Sequence, residues 1–299
     1  MARLSTEISW VPIAGCRRKA ATPPGAEWAL TPSLGADADW NDALRGVEVV
    51  VHTAARVHVM EESATDPLAE YRRINVEGTL VLARQAAQTG VRRFVFVSSI
   101  KVNGERTLPG MAFRAIDVPA PEDPYGVSKA EAEEGLLALG RATGMEIVIV
   151  RPPLIYGPGV GGNFVRLLRW VQRGVPLPLG AVNNRRSLVG LDNLVDLLVT
   201  CLDHPKAAGK VFLVSDGEDL STTMLLCRVA GAMGRRAWLL AVPPSFLRAG
   251  AKVLGREEMV RRLLESLQVD ITHTRETLGW APPVSVDEGL RRTALGYHT

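Results

Sequence analysis

Tyr125 and Lys129 stand four residues apart in the run Pro124-Tyr125-Gly126-Val127-Ser128-Lys129. On a helix, positions i and i+4 share a face, so the phenol and the ammonium project together. A neighbouring ammonium favours the phenolate, which predicts a Tyr125 pKa lowered towards working pH. Such a phenol can move a proton on and off a reacting oxygen. The spacing alone is a weak signal, because a surface Tyr–Lys pair on an amphipathic helix has the same pattern. The context is more specific. Residues 93–99 (RFVFVSS) form an apolar run ending in Ser98 and Ser99, followed by a loop and then by the Tyr-Lys helix.

The elements that must hold these residues alternate in type. Residues 47–53 form a short β-branched run, read as a buried strand. Residues 67–90 have helical periodicity and end at Gly90, a plausible C-cap. Residues 93–99 are the next strand, 124–144 a helix with proline near its start, and 145–151 (MEIVIVR) a further strand. Alternation of this kind predicts an α/β chain with a doubly wound, Rossmann-like parallel sheet. After Pro152 the character changes, with proline and glycine crowding 152–162 and 174–180. Residues 191–202 read as helix and 211–215 as strand; beyond Leu220 helices and loops follow. The predicted division is a dinucleotide-binding domain over 1–153, to which 191–216 return. A smaller substrate lobe takes 154–190 and 217–299.

Composition narrows the function. The chain has 299 residues, 46% hydrophobic, enough for a sizeable core, and a formal net charge of +3. Its basic residues are scattered, which argues against nucleic acid as a partner. The three cysteines, Cys16, Cys201 and Cys227, are far apart and form no zinc spacing, so no metal site is expected and a reduced cytoplasmic location fits. The apolar stretch 238–253 is broken by Pro243-Pro244 and Arg248, so no membrane span is expected. The five histidines make no ligand set, and His52 inside a strand reads as structural.

Taken in order, VVVHTAA (49–55), INVEGT (74–79), FVFVSS (94–99), PYGVSK (124–129), RPPLIYGPG (151–159), NRRSLVGLDNL (184–194) and LGWAPP (278–283) resemble the extended short-chain dehydrogenase/reductase family. The resemblance is to its NAD-dependent epimerase/dehydratase members, UDP-glucose 4-epimerase-like, and within them to bacterial 4-ketoreductases of UDP-N-acetyl sugars. It covers nearly the whole chain. It implies an NAD(P)-dependent enzyme acting at C4 of a UDP-sugar, often a homodimer. On it, Tyr125 is the acid/base, Lys129 tunes Tyr125 and binds the nicotinamide ribose, and Ser99 hydrogen-bonds the reacting oxygen. Ser98 is the alternative, since a one-residue shift along a strand reverses the facing side. Ala54 and Ala55 line the cofactor, Asn75 supports its nicotinamide side, and Pro152 lies near the ring. Asn163 and Arg186 hold substrate. A guanidinium suits a diphosphate, and Asn163 also fits a helix N-cap.

The chain departs from the family pattern in three places. Asn103 stands where the family usually has tyrosine, and the aromatic or histidine usual near Gly190 is missing; both positions border the implied sugar pocket. The family also opens with a strand and a G-x-x-G-x-x-G loop that places backbone N–H groups on the pyrophosphate. Here residues 8–15 already read as the second strand, ending at Cys16-Arg17-Arg18. The expectation is a start codon further upstream; the rival is a poorly folding, non-catalytic dinucleotide-binding or scaffolding relative. Arg17 and Arg18 stand where an acid would favour NAD, and could accept a 2′-phosphate, which tilts the expectation to NADP; the bland alternative is a solvated loop. Gly157-Pro158-Gly159-Val160-Gly161-Gly162 mimics a dinucleotide loop. Pro158 removes a donor, and the first acid after it, Asp192, is too far on. A substrate-side loop is expected there. Epimerase and reductase chemistry are not separable on these residues.

Overall fold

The computed structural model describes residues 10–18, 24–57 and 66–298. Strand β1 (Ile13–Cys16) pairs in parallel with β2 (Glu27–Leu30). A second, all-parallel sheet has the order β3 (Val49–His52), β4 (Arg93–Val97), β5 (Glu146–Arg151), β8 (Lys210–Leu213). Among the described residues no strand is hydrogen-bonded between β1 and β3. Strands β6 (Leu154–Tyr156), β7 (Arg186–Gly190) and β9 (Asp219–Leu220) form a third sheet, parallel and then antiparallel.

The crossover helix expected over 67–90 runs as α1 (Pro67–Tyr71), a π-helical stretch Arg72–Gly78, and α2 (Thr79–Gln88). The Asp66 carboxylate caps its start at Ala69 N, 3.0 Å away. Helix α3 (Pro124–Thr143) ends at Gly144 with φ 79°, a left-handed C-cap. The remaining helices are α4 (Gly162–Arg173), α5 (Leu191–Cys201), α6 (Thr222–Ala232), α7 (Pro244–Val253), α8 (Glu257–Leu264), α9 (Thr272–Leu278) and α10 (Val286–His298).

Side-chain alternation along the strands divides the core into two faces. Phe94, Phe96, Ile147 and Ile149 join Leu82, Ala83, Ala132 and Leu136 of α2 and α3. The opposite-facing Val95, Val148 and Val150 pack with Leu194 and Leu197 of α5 and with Val269, Ile271 and Trp280. Helices thus cover both faces of the parallel sheet, the doubly wound arrangement. A further core, built around Tyr156, Phe164, Leu168, Leu188, Leu226 and Leu290, draws on 154–190 and 217–299.

The β1–β2 pair is tied to the body through helix α2. Gln85 accepts from Trp40 N at 2.6 Å and donates to Ala38 O at 2.8 Å. At Gly78 any Cβ would fall 2.8 Å from Gly35 N, so only glycine allows that approach of helix to loop. The sequence reading missed β2, β6 and β7. These strands are three to five residues long. β6 is framed by Pro153 and Gly157, which read as loop. The decoy glycine run therefore follows a real strand directly. Gly157 is required there by packing, because a Cβ would lie 2.7 Å from Leu191 Cβ.

Candidate active site

The C-terminal ends of parallel strands are where doubly wound sheets bind ligands. Most of the expected site residues fall there: Ala54 just after β3, Ser99 just after β4, Pro152 just after β5. Ser99 takes extended backbone (φ −155°, ψ 149°), and its hydroxyl accepts from Lys101 N at 3.2 Å, capping a 3-10 turn over Ile100–Val102. Tyr125 is the second residue of α3, whose cap Asp123 accepts from Gly126 N at 2.7 Å. Gly126 is decisive for assembly. A Cβ there would lie 2.9 Å from Lys101 O, so glycine lets the first turn of α3 press on the turn that Ser99 caps. One turn further, Lys129 Nζ donates to Val97 O at 2.8 Å and lies 4.0 Å from the centre of the Phe96 ring. Strand end, serine turn and Tyr-Lys helix are thereby locked together.

Ser98 turns the other way, donating to the buried Glu133 carboxylate, while Ser99 stays partly exposed. Asn75, in the π-helical stretch, clamps the loop that carries Ala54 and Ala55. It accepts from Arg56 N at 2.8 Å and donates to Arg56 O and to Ser128 Oγ, both at 3.0 Å. Pro152 O accepts from Ile100 N at 2.9 Å. Arg186, at the start of β7, donates through Nη1 to the carbonyls of Arg262 and Glu265, both at 3.0 Å. Burial, with Arg262 beside it, pushes its pKa down. A chain of ion pairs leads from the α3 cap towards it: Asp123 with Lys101, Lys101 with Glu105, Glu105 with Arg261. Arg17 and Arg18 are exposed after β1, and no hydrogen bond or ion pair among the described residues joins them to the other site residues. The side chain of Asn163 lies outside the described residues.

The electrostatics correct one expectation. Tyr125 is pushed up to about 12, first by burial, then by the Asp123 charge and by Tyr71. Lys129 is lowered to about 7, because burial outweighs the help from Glu133. The i, i+4 spacing is real, but Lys129 Nζ bonds the end of β4 and desolvation dominates both groups. A second correction concerns Asn103. It is buried, donating to Arg114 O at 3.1 Å and accepting from Arg151 at 3.0 Å, so it belongs to the polar core.

A model of the NAD dependent epimerase/dehydratase family matches residues 19–215. The chain belongs to that family. It is 51% identical over 265 residues to a UDP-glucose 4-epimerase of Vibrio cholerae, covering 88% of this chain and 81% of that protein. An Escherichia coli O157:H7 relative, an N-acetyl-alpha-D-glucosaminyl-diphospho-ditrans,octacis-undecaprenol 4-epimerase, is 27% identical over 85% of this chain and 78% of its own. Among solved structures, UDP-glucuronic acid 4-epimerase from Bacillus cereus in complex with NAD superposes with a TM-score of 0.73, covering 92% of this chain and 82% of that one at 20% identity. UDP-glucose 4-epimerase from Thermotoga maritima with UDP-glucose gives 0.71 over 93% and 86%, at 22% identity. These two likenesses establish the Rossmann-like fold.

Within this epimerase/dehydratase member the structure adds residues that the sequence reading passed over. Glu133 and Arg151 form a buried, forked ion pair behind the site, with a contact of 2.5 Å; Ser98 and Asn103 complete it. The available signal was periodicity, since Glu133 lies at i+4 from Lys129 on the same stripe. Tyr71 meets the Tyr125 ring edge-on, centroids 6.0 Å apart, and Arg56 covers Tyr71. Tyr71 is at i−4 from Asn75, a spacing equally legible. Near Gly190, Asp216 accepts from Gly190 N, Asn193 and Tyr156 at 2.7–2.8 Å. That buried network ties β6 and β7 to the loop after β8.

Proposed function

We propose that this chain interconverts UDP-hexoses at C4, as an NAD(P)-dependent 4-epimerase with Tyr125 as its acid/base. The observation that carries the reading is the Gly126–Lys101 approach, with Lys129 bonded to the end of β4: it joins Tyr125, Lys129 and Ser99 at the ligand-binding edge of the sheet. The residues there suit the nicotinamide half of a dinucleotide. Ala54 is small and exposed, Lys129 offers Nζ as a hydrogen-bond donor, and Asn75 fixes the loop between them. A nicotinamide bound at that edge supplies reversible hydride acceptance from the sugar carbon.

The side chains do the proton work. Tyr125 Oη, as the phenolate, takes the proton of the C4 hydroxyl as the carbonyl forms, and as the phenol returns it when the carbonyl is reduced from the other face. Burial raises its pKa to about 12 and favours the phenol, the form that carries the return step. The first step draws on the phenolate, which a positive charge bound beside it would favour. The partly exposed Ser99 hydroxyl steadies the same oxygen, and Arg186, whose Nη1 is held by Arg262 O and Glu265 O, offers its remaining N–H groups to the substrate diphosphate. Exposed Arg17 and Arg18 support a preference for NADP over NAD.

Incubation with UDP-glucose is expected to yield UDP-galactose without net change in nicotinamide absorbance. Stoichiometric NAD(P)H consumption with a UDP-4-keto sugar in place of UDP-glucose would convert the reading to a 4-ketoreductase. Failure to convert any UDP-sugar would favour a non-catalytic relative.

A further inference from the structure

Helix α4 is sharply two-faced. Phe164, Leu168 and Val171 are buried in the second core, whereas Arg166, Arg169 and Arg173 recur at i, i+3 and i+7 on the outer face and are exposed. These three arginines line one surface concavity with Trp170, Arg256 and Met259. Among the described residues no carboxylate pairs with Arg166, Arg169, Arg173 or Arg256.

Helix α7, which packs against α8, adds an apolar feature. Leu247 and Ala251 turn inward. Phe246 and Val253, two turns apart on another face, are 70% and 86% exposed, and Leu254 just beyond is 72% exposed. Arg248 and Lys252 stand between the two apolar faces, both exposed. Trp238, whose carbonyl accepts from Leu177 N shortly after α4, is 67% exposed. A helix with a second apolar face towards solvent, flanked by cations, has the make-up of an interfacial helix. No helix among the described residues is long and apolar enough to cross a membrane, so any lipid contact of this face is peripheral.

We propose that the outer faces of α4 and α7, with the turn into α8, dock on an anionic lipid bilayer. Charge complementarity selects this occupant. Exposed arginines attract acidic headgroups, and Trp238, Phe246 and Val253 insert at the acyl boundary. A second copy of this chain fits worse, because a two-fold contact through the same patch would set arginines against arginines.

The test is co-sedimentation of the full chain with vesicles of phosphatidylcholine alone or mixed with phosphatidylglycerol, with gel filtration alongside. Binding is expected only to the mixed vesicles. It should fall at least about tenfold in Arg166→Glu/Arg169→Glu/Arg173→Glu, and equally in Phe246→Ser/Val253→Ser, with thermal midpoints unchanged. The single changes Arg169→Glu and Phe246→Ser serve if a multiple variant unfolds. Absence of vesicle binding would overturn the proposal, as would equal binding to both vesicle types. Loss in the charge-reversed variant alone would point to a soluble polyanion instead. A dimer broken by Phe246→Ser/Val253→Ser would point to a second copy.

Discussion

His52 donates to or accepts from Thr79 Oγ1 at 3.0 Å and stacks on Phe96, the ring that also carries Lys129. Burial first, then the Lys129 charge, lowers its pKa to about 3. In the unfolded chain a histidine titrates near 6.5. Between those values the unfolded state binds the extra proton, so His52 removes stability as pH falls from 6.5 towards 3, by up to about 1.4 kcal/mol per pH unit. Above 6.5 it contributes nothing to the slope. In urea melts at stepped pH, His52→Gln should lose less stability on acidification than the parent; parallel curves would show that His52 is not held neutral. The two serines make a sharper pair. Ser99→Ala should lower turnover and cost only about 1 kcal/mol, through loss of the cap on the 3-10 turn. Ser98→Ala should lower stability, because it strips a hydrogen bond from buried Glu133; the reverse pattern in paired kinetics and melts would exchange their roles. Tyr125, Lys129 and the two serines were legible in the sequence because spacing carries them. Their ionisation was not, since it depends on burial and on where Lys129 Nζ ends up, and neither is written in an i, i+4 pattern.

Helix α3 positions the site through its two packed sides. Its first turn rests on the Ser99-capped turn, and Glu133, two turns beyond Tyr125, anchors the helix to β5 through Arg151. Both members of that pair are about 4% exposed. Removing one partner strands a buried charge, so Arg151→Met should cost about 3–5 kcal/mol in denaturant unfolding. Arg151→Met/Glu133→Leu should recover much of that loss. A double variant no more stable than the single would mean that the ion pair is not the unit that matters. Long apolar strands such as β4 and β5 and the capped helix α3 could be read from residue pattern alone. Strands β2, β6 and β7 could not, because pairing partners and not local periodicity make them strands. The π-helical stretch over Arg72–Gly78, within which Asn75 clamps Arg56 across the chain, also escaped.

Across the whole molecule, the sheet β3-β4-β5-β8 delivers Ala54, Ser99 and Pro152 to one edge, and residues 267–280 cross back to pack on its far face. That long return was invisible in the sequence, which shows only loops and short helices after Leu220. Among the described residues no strand is hydrogen-bonded between the β1–β2 pair and β3. The proposed proton transfer at C4 rests on Tyr125, so the most direct measurement compares the parent with Tyr125→Phe for UDP-glucose turnover and, by calorimetry, for UDP binding. The parent should form UDP-galactose, and Tyr125→Phe should lose at least about 100-fold in kcat while binding UDP as tightly. Undiminished turnover in Tyr125→Phe would contradict the assignment of the proton to this phenol.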